Sequence, residues 1–466
     1  MSLELDPDRL FPVDRQTRTV ARNLYERVAE LPIISPHGHV DPEVLRRDEA
    51  FPDPADLLLS RDHYITRLLH AAGAELTSLG VGRAAGADPR AAWRIFCTNW
   101  HLFAGTASGY WLMHQLVTLF EAEEEPSAEN ADRLFDRIAA RLGAPGFLPR
   151  ELFERFRIEV LATTDDPLDD LSSHAALASD PSFRGRVLPT FRPDAYTDPE
   201  NPLFRENVER LAAHAGSAPG NYRAYIEALE DRRRYFIQHG AVSADHGVRE
   251  PLTVDLDDSE AAKLFKLAMQ GGLSAEEARV FSGSMLFQMA RMSVSDGLVM
   301  TIHPGVYRNH SSGTLSRFGS DTGHDIPVGT TFTENLRPML EKFGLEKDLH
   351  IVLFAVDETV YSREIAPLAG FYPSLYIGAP WWFLDAPDAV QRFRSAVTET
   401  AGFYRGSGFI DDTRAFLSIP ARHDMARRLD SAFIARLVAE GRISRPMAER
   451  LITDVTDSQP RKVFKL

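Results

Sequence analysis

The chain has 466 residues, of which 44% are hydrophobic and 26% are charged, and these proportions are typical of a soluble globular protein. Its formal net charge of −15 argues against nucleic acid or an anionic membrane surface as a partner. Cys97 is the only cysteine, which excludes an intrachain disulfide, and we expect it to be a buried thiol. Residues 1–15 lack an apolar signal core, and no apolar run approaches membrane-spanning length, so we expect a cytoplasmic protein.

The first predicted elements are a helix and a short strand. Asp14 is suited to cap a helix in which Val20, Leu24 and Val28 fall four residues apart and share one face. Residues 31–34 follow directly and indicate a short buried strand. The apolar stripe of the helix is explained by core packing alone.

Residues 51–157 are predicted to form a helical insertion after this first strand. Leu134, Ile138 and Leu142 repeat at helical spacing, and Gly143 follows them as a stop signal. No convincing strand pattern interrupts the region. We expect the insertion to cover part of a site.

Seven further apolar segments alternate with helical patterns in the rest of the chain. They are residues 158–163, 187–191, 241–244, 298–302, 351–355, 375–377 and 408–410. Eight short strands alternating with helices favour an α/β fold, a (β/α)8 TIM-type barrel with a large helical insertion. A doubly wound open sheet is the alternative, but no glycine-rich phosphate loop follows the first strand.

We divide the chain into four predicted parts. These are an N-terminal helix with the first strand, the helical insertion, the remainder of the barrel, and a C-terminal helical tail, at residues 1–50, 51–157, 158–430 and 431–466.

Nearly every predicted strand ends in His, Asp, Arg or Trp, at the C-terminal ends where barrel enzymes build their active sites. His37 and His39 share one face if the first strand continues, and Gly38 leaves room between them for a cation. Taken alone, such a pair is more often surface or capping histidines. With His303 after the fifth strand and Asp412 after the eighth, the set suits one divalent cation, with zinc the expected ion.

Three arginines lie in comparable positions: Arg192, Arg308 and Arg414. Any one of them is more often a surface charge or part of a structural ion pair. Three at strand ends of an acidic protein instead favour an anion site, because guanidinium binds carboxylate through a bidentate fork. The sequence therefore predicts an acidic ligand.

Further polar and aromatic residues are consistent with either a structural or a functional role. His63 and Tyr64 lie early in the insertion, where Tyr64 alone is most simply a packing residue. Trp381 and Trp382 indicate core packing or the wall of a sugar site. Asp245 after the fourth strand either supplies a hydrogen bond to a ligand or caps the next helix.

These motifs together resemble a known family. The histidine pair after the first strand and Asp412 after the eighth resemble the amidohydrolase superfamily of metal-dependent barrels. The full set is similar to uronate isomerase, on the motifs His63-Tyr64, 163–167, 191–194, His303 with Arg308-Asn309, 381–383 and 412–414. The resemblance implies interconversion of D-glucuronate with D-fructuronate, and of D-galacturonate with D-tagaturonate, in hexuronate catabolism.

The chain departs from the family pattern at two places and from the two-metal members of the superfamily at a third. It has Ala-Val-Asp-Glu at 355–358 where the family usually has Asn-Pro, and His310 where the family usually has asparagine. Both departures put the choice between epimeric uronates in doubt. Residues 243–245 lack the bridging lysine of two-metal superfamily members, so we expect one metal at most.

An aldose–ketose isomerase needs a base, a stabiliser for the enediolate oxygens and an anchor for the distal carboxylate. Asp412 is the predicted base as well as a metal ligand, and Arg414, with the metal or the histidine pair, is the predicted stabiliser. Tyr64 and His63 are predicted to donate hydrogen bonds to substrate oxygens. The predicted substrate-binding residues are Arg192, Arg308, Trp381, Trp382 and Asp245.

Two alternatives remain open at this point. A metal-dependent hydrolase or deaminase acting on a small carboxylate needs an activated metal-bound water and has no obvious need of three arginines. A barrel that binds acidic sugars without turnover has no need of a base. We expect a hexuronate as the small-molecule ligand, a metal that is not essential for catalysis, and a homo-oligomer.

Overall fold

The structure is a computed structural model that describes residues 3–82 and 88–466, which form ten strands and twenty α-helices. The strands are β1 (Ile33–Ser35), β2 (Ile158–Ala162), β3 (Arg186–Leu188), β4 (Thr190–Phe191), β5 (Ser243–Val248), β6 (Val299–Pro304), β7 (Val306–Tyr307), β8 (Ile326–Pro327), β9 (Ile351–Leu353) and β10 (Leu375–Ile377).

The sheets follow the order of a parallel ring. One sheet has the order β1-β2-β3 and a second has the order β10-β9-β6-β5-β4, with every pairing parallel. A parallel bridge between Asp165 and Phe191 joins the two sheets, and another between Ile377 and Gly406 extends the second. The predicted α/β barrel architecture is confirmed. β7 and β8 form a separate antiparallel hairpin outside the ring.

The predicted eighth strand, 408–410, is not a regular strand. Gly408 has φ +81°, in the left-handed region, and its carbonyl accepts a hydrogen bond from the Ser407 hydroxyl. This turn removes the segment from a continuous ladder. The backbone N–H of His39 donates to the carbonyl of Thr413 over 3.0 Å, so the irregular segment still returns to the first barrel position.

Two other predicted strands differ in extent. The segment 187–191 is divided into β3 and β4 at Pro189, because proline has no N–H to donate to a ladder. The predicted strand 241–244 is instead β5, which continues to Val248. Asp245 therefore lies within a strand, and the reading in which it caps the next helix is wrong.

The insertion is helical, as predicted: its described residues, 51–82 and 88–157, contain no strand. Helices up to β2 are α1 (Arg15–Val28), α2 (Pro42–Arg47), α3 (His63–Ala71), α4 (Pro89–Thr98), α5 (Ala107–Thr118), α6 (Ala131–Leu142) and α7 (Pro149–Arg155). Asp14 caps α1 and Gly143 ends α6, as predicted. The insertion has an apolar cluster around Trp93, which is fully buried, and that cluster includes Cys97.

The remaining helices surround the barrel or follow it. They are α8 (Ser172–Ser179), α9 (Asp194–Thr197), α10 (Phe204–His214), α11 (Tyr222–Gln238), α12 (Asp258–Gln270), α13 (Ala275–Asp296), α14 (Ser312–Phe318), α15 (Arg337–Phe343), α16 (Ala366–Phe371), α17 (Pro387–Ala401), α18 (Ile419–Ala439), α19 (Arg445–Thr453) and α20 (Gln459–Phe464). The predicted division at 430/431 falls inside α18, and the four-part division stays a prediction. None of the helices among the described residues is long and apolar enough to cross a membrane.

Candidate active site

One cavity of about 400 Å³ brings together all twelve residues that the sequence singled out for a site. They are His37, His39, His63, Tyr64, Arg192, Asp245, His303, Arg308, Trp381, Trp382, Asp412 and Arg414. Most of them lie at or just beyond strand ends, because the ends of parallel strands meet on one side of the ring. Their individual roles stay predictions.

Three of the four predicted metal ligands converge. Ligand atoms of His37, His303 and Asp412 all lie within 4.8 Å of one another. His39 is not part of that group, although its Nε2 atom lies 3.0 Å from Oδ1 of Asp412. Two imidazoles and one carboxylate match the ligand types of a divalent cation that keeps open coordination positions.

His303 is oriented in the way that metal-binding histidines usually are. Its Nδ1 atom lies 2.6 Å from Oδ1 of Asp245, whereas its buried Nε2 atom has no hydrogen-bond partner. Burial lowers the pKa of His303, which favours the neutral imidazole. A carboxylate that accepts the Nδ1 proton leaves the Nε2 lone pair free for a cation, so the residues present fit a metal.

Asp412 has an unusual backbone and an unusual electrostatic environment. Its φ of 40° lies in the left-handed region, which is strained for a residue other than glycine. Burial alone raises the pKa of Asp412, but the imidazoles of His37 and His39 beside it hold that pKa well below its ordinary value. Asp412 is therefore ionised near neutral pH and faces the cluster as a carboxylate.

Arg192 lies between two carboxylates. Its Nε atom donates to Oδ2 of Asp194 over 2.8 Å, and its Nη1 atom lies 3.2 Å from Oδ2 of Asp245. The backbone N–H of Gly247 donates to both oxygens of Asp194 over 3.1 Å. A Cβ atom on Gly247 would lie 2.5 Å from Nη2 of Arg192, so the guanidinium packs directly against this backbone.

Arg308 and Arg414 are less neutralised than Arg192. Nη1 of Arg308 lies 3.1 Å from Oδ2 of Asp325, and its guanidinium lies over the Trp382 ring at 4.9 Å from the centroid. Arg414 has one longer ion pair among the described residues, at 3.7 Å from Asp321. The side chains of Arg308 and Arg414 are 40% and 39% exposed, against 25% for Arg192. Both remain accessible to an anion.

The insertion contributes His63 and Tyr64 to the cavity from the first turn of α3. Asp62 caps this helix by accepting a hydrogen bond from the backbone N–H of Tyr64. The His63 ring stacks on Tyr64 with centroids 5.2 Å apart, and both of its ring nitrogens are buried without a partner. Burial lowers the pKa of His63. A neutral imidazole with both nitrogens unsatisfied is suited to bind a polar ligand.

Sequence reasoning missed several residues that surround the cavity. Arg422 of α18 lines it, and Asp385 pairs with Arg422 over 2.9 Å. Neither Arg422 nor Asp385 directly follows a predicted strand, and in the sequence both resemble ordinary polar residues near helices. Asp194 belongs to the motif at residues 191–194, but the sequence predicted no function for it. Asp321 and Asp325 lie in a polar segment in which no strand was predicted.

These features define an α/β-barrel enzyme with an ionic cavity. A family model described as glucuronate isomerase matches residues 14–464. The uronate isomerase of Corynebacterium efficiens is 52% identical over 461 residues, which cover 99% of this chain and 98% of that protein. The crystal structure of glucuronate isomerase from Caulobacter crescentus is 48% identical with a TM-score of 0.98, covering 100% of this chain and 98% of that one.

A third relative is more distant in sequence. The uronate isomerase structure from Thermotoga maritima is 26% identical with a TM-score of 0.93, and 99% of each chain is covered. The chain belongs to the uronate isomerase family and is an isomerase. The family predicted from the short motifs is confirmed.

Proposed function

We propose that the protein interconverts D-glucuronate with D-fructuronate, and D-galacturonate with D-tagaturonate, by carrying a proton between adjacent carbons through an enediolate. The observation that carries the proposal is that one cavity holds the largely buried Asp412 carboxylate beside imidazoles, with four arginines among its lining residues. Isomerisation needs the carboxylate for the proton and cations for the developing and resident negative charges. Membership of the uronate isomerase family supports a uronate as substrate and disfavours the hydrolase alternative.

The test is to incubate the purified protein with each uronate, with D-glucose as a neutral control, and to measure ketose formation. We expect ketose from at least one uronate and none from D-glucose. Release of ammonia or acid from amide or ester derivatives, with no ketose formed, would support the hydrolase alternative. Tight uronate binding without any product would support a binding protein.

In this proposal Asp412 takes the proton from the carbon beside the carbonyl and returns it to the neighbouring carbon. Its depressed pKa makes it a weak base, so the negative charge formed on the substrate oxygens must be stabilised strongly. Arg414 and the imidazoles of His37 and His39 line the same cavity and are suited to that task. A divalent cation held by His37, His303 and Asp412, with zinc the ion we propose, would add Lewis-acid polarisation of a carbonyl oxygen.

Arg308 is the proposed anchor for the distal carboxylate. The charge of Arg192 is already shared between Asp194 and Asp245, so little of it remains to attract an anion. Arg308 faces one carboxylate, at 3.1 Å, and its contact with Trp382 leaves the edge of the guanidinium available for a bidentate contact. Arg192 then contributes mainly by shaping the cavity wall.

Gly247→Ala tests whether the position of Arg192 matters for this wall. The new methyl group would lie 2.5 Å from Nη2 of Arg192 and 2.8 Å from Oδ2 of Asp194, so the guanidinium must move. Loss of a hydrogen bond to a charged group corresponds to about a tenfold rise in KM for D-glucuronate. Gly313→Ala is the matched control, because a Cβ atom there meets nothing within 4 Å. An unchanged KM in Gly247→Ala would show that the position of Arg192 does not matter for substrate binding.

Removal of the metal is expected to lower turnover less than loss of Asp412 does. Proton transfer between adjacent carbons involves no attacking water, and Arg414 with the imidazoles stabilises much of the charge. The measurement is turnover against residual metal by elemental analysis during thorough chelation. Activity that falls in strict proportion to metal content, and returns on zinc addition, would contradict this expectation.

The cytoplasmic location and the homo-oligomeric state also stay proposals. The single cysteine, Cys97, is buried and supplies no disulfide, which agrees with a reducing compartment. Light scattering after size-exclusion chromatography measures the oligomeric state directly.

A further inference from the structure

Asp385 receives side chains from two distant parts of the chain. The Tyr64 hydroxyl, from the insertion, lies 3.3 Å from Oδ1 and 3.2 Å from Oδ2 of Asp385. Nη1 of Arg422, from α18, donates to Oδ2 over 2.9 Å. The Asp385 residue is only 7% exposed, so these contacts dominate its surroundings.

Asp385 lies behind the cavity wall rather than in it. Among the described residues, those that line the cavity include Tyr64 and Arg422 but not Asp385. Asp385 therefore acts on a ligand only through these two neighbours. Tyr64 lines the cavity, and its hydroxyl is hydrogen-bonded to Asp385.

Arg422 is held firmly against the carboxylate. Its Nε atom donates to the Ser418 hydroxyl over 3.1 Å and its Nη1 atom donates to the Asp411 carbonyl over 3.3 Å. The guanidinium also lies 3.6 Å from the centroid of the Trp111 ring. The guanidinium therefore has little freedom to leave Asp385.

The charge state of Asp385 decides which way the Tyr64 hydroxyl points. Burial raises the pKa of Asp385 to about 7, although the Arg422 guanidinium opposes that rise. Above that pH the carboxylate has acceptors only, so the phenolic proton must point towards it. The lone pairs of the phenolic oxygen then face away from Asp385.

We propose that Asp385 is a positioning residue that makes Tyr64 a hydrogen-bond acceptor towards the substrate. The phenolic O–H donates a hydrogen bond to Asp385, and the phenolic oxygen accepts a hydrogen bond from a substrate hydroxyl. This inference rests on the proposed uronate isomerase reaction and reverses the donor role that the sequence predicted for Tyr64.

Asp385→Asn reverses this arrangement with almost no change in volume. Arg422 continues to donate to the amide oxygen, which takes the Oδ2 position, so a donor NH₂ group replaces the acceptor at Oδ1, 3.3 Å from the phenolic oxygen. One acceptor, already used by Arg422, then remains for the phenolic proton, and this favours its turning towards the cavity, where it competes with the proton of the substrate hydroxyl.

The test compares Asp385→Asn, Tyr64→Phe and the double variant at pH 8.5, with kcat/KM for D-glucuronate as the readout. We expect Asp385→Asn to lower kcat/KM about 10- to 100-fold in the wild-type background, the size expected for a charge-assisted hydrogen bond. In the Tyr64→Phe background the same change should cost less than about threefold. Equal losses in both backgrounds would overturn the proposal.

Asp430→Asn is the matched control for loss of a buried arginine pair. Asp430 lies on α18, the helix of Arg422, and pairs with Arg394 over 2.6 and 2.7 Å. Among the described residues, those that line the cavity include neither Asp430 nor Arg394. Its effect on kcat/KM should be small and the same with tyrosine or phenylalanine at position 64. If Asp385→Asn does not fold, the pH dependence of kcat/KM replaces it: we expect a rise through about pH 7 that is absent in Tyr64→Phe, and identical profiles in both proteins would overturn the proposal.

A spectroscopic readout separates orientation of Tyr64 from general damage. The resonance of the Tyr64 ring carbon that bears the hydroxyl, identified by its absence in Tyr64→Phe, should shift in Asp385→Asn and stay unchanged in Asp430→Asn. An unshifted resonance would overturn the proposal. Failure of wild-type protein to form ketose would instead contradict the proposed function, so the two failures are distinguishable.

Discussion

Replacing Asp412 with asparagine is expected to lower turnover of D-glucuronate by about 10³-fold while the protein stays folded, the scale of losing a positioned general base. The amide cannot accept the substrate proton, yet it matches the carboxylate in shape. The Asp412 carboxylate lies 3.0 Å from His39 and 3.5 Å from His37, and it lines the cavity. Stopped assays for ketose and thermal unfolding measure the two effects separately.

Asp411→Asn is the control for this experiment. Asp411 is the preceding residue, and its carboxylate points instead to Nε2 of His423 at 3.0 Å. We expect its turnover to fall much less than that of Asp412→Asn. Near-normal turnover in a folded Asp412→Asn variant would exclude Asp412 as the base.

Replacing Arg308 with methionine is expected to lower kcat/KM for D-glucuronate by about 10²-fold, because the substrate carboxylate loses its charged partner in a partly desolvated cavity. Arg308→Lys keeps the charge but loses the bidentate fork, so its kcat/KM should lie between those of Arg308→Met and the wild-type protein. The measurement is kcat/KM, together with competition by D-glucose, whose weak binding should be unaffected.

Arg192→Lys serves as the comparison for Arg308→Lys. Arg192 is already paired with Asp194 and Asp245, so we expect lysine there to weaken binding less than lysine at position 308. If neither variant changes the preference for a uronate over a neutral hexose, the carboxylate binds elsewhere, and Arg414 becomes the next residue to test.

The barrel could be predicted because most strands are short apolar runs with polar residues at their ends. The exceptions have local causes. In β5 the run Asp245-His246-Gly247 continues the strand through polar residues, which a hydrophobic pattern reads as an end. At the eighth position the left-handed turn at Gly408 breaks a ladder that the apolar residues alone favour.

The cavity could be predicted as far as its residues follow strands, because parallel strands place their ends together. The side chains around Asp385 could not be predicted in this way. Tyr64 lies 321 residues before Asp385 and Arg422 lies 37 residues after it, and the three belong to the insertion, a loop and a long helix. Their meeting depends on how the insertion packs against the barrel, which no local pattern encodes.

The most direct test of the central proposal is carbon NMR with D-glucuronate labelled with carbon-13 at C1. Isomerisation converts this anomeric carbon into the CH₂OH carbon of the ketose. We predict that wild-type protein replaces the anomeric signals with that of the CH₂OH group, and that Asp412→Asn protein does so far more slowly. Anomeric signals that persist unchanged with folded, metal-loaded wild-type protein, for both D-glucuronate and D-galacturonate, would contradict the account.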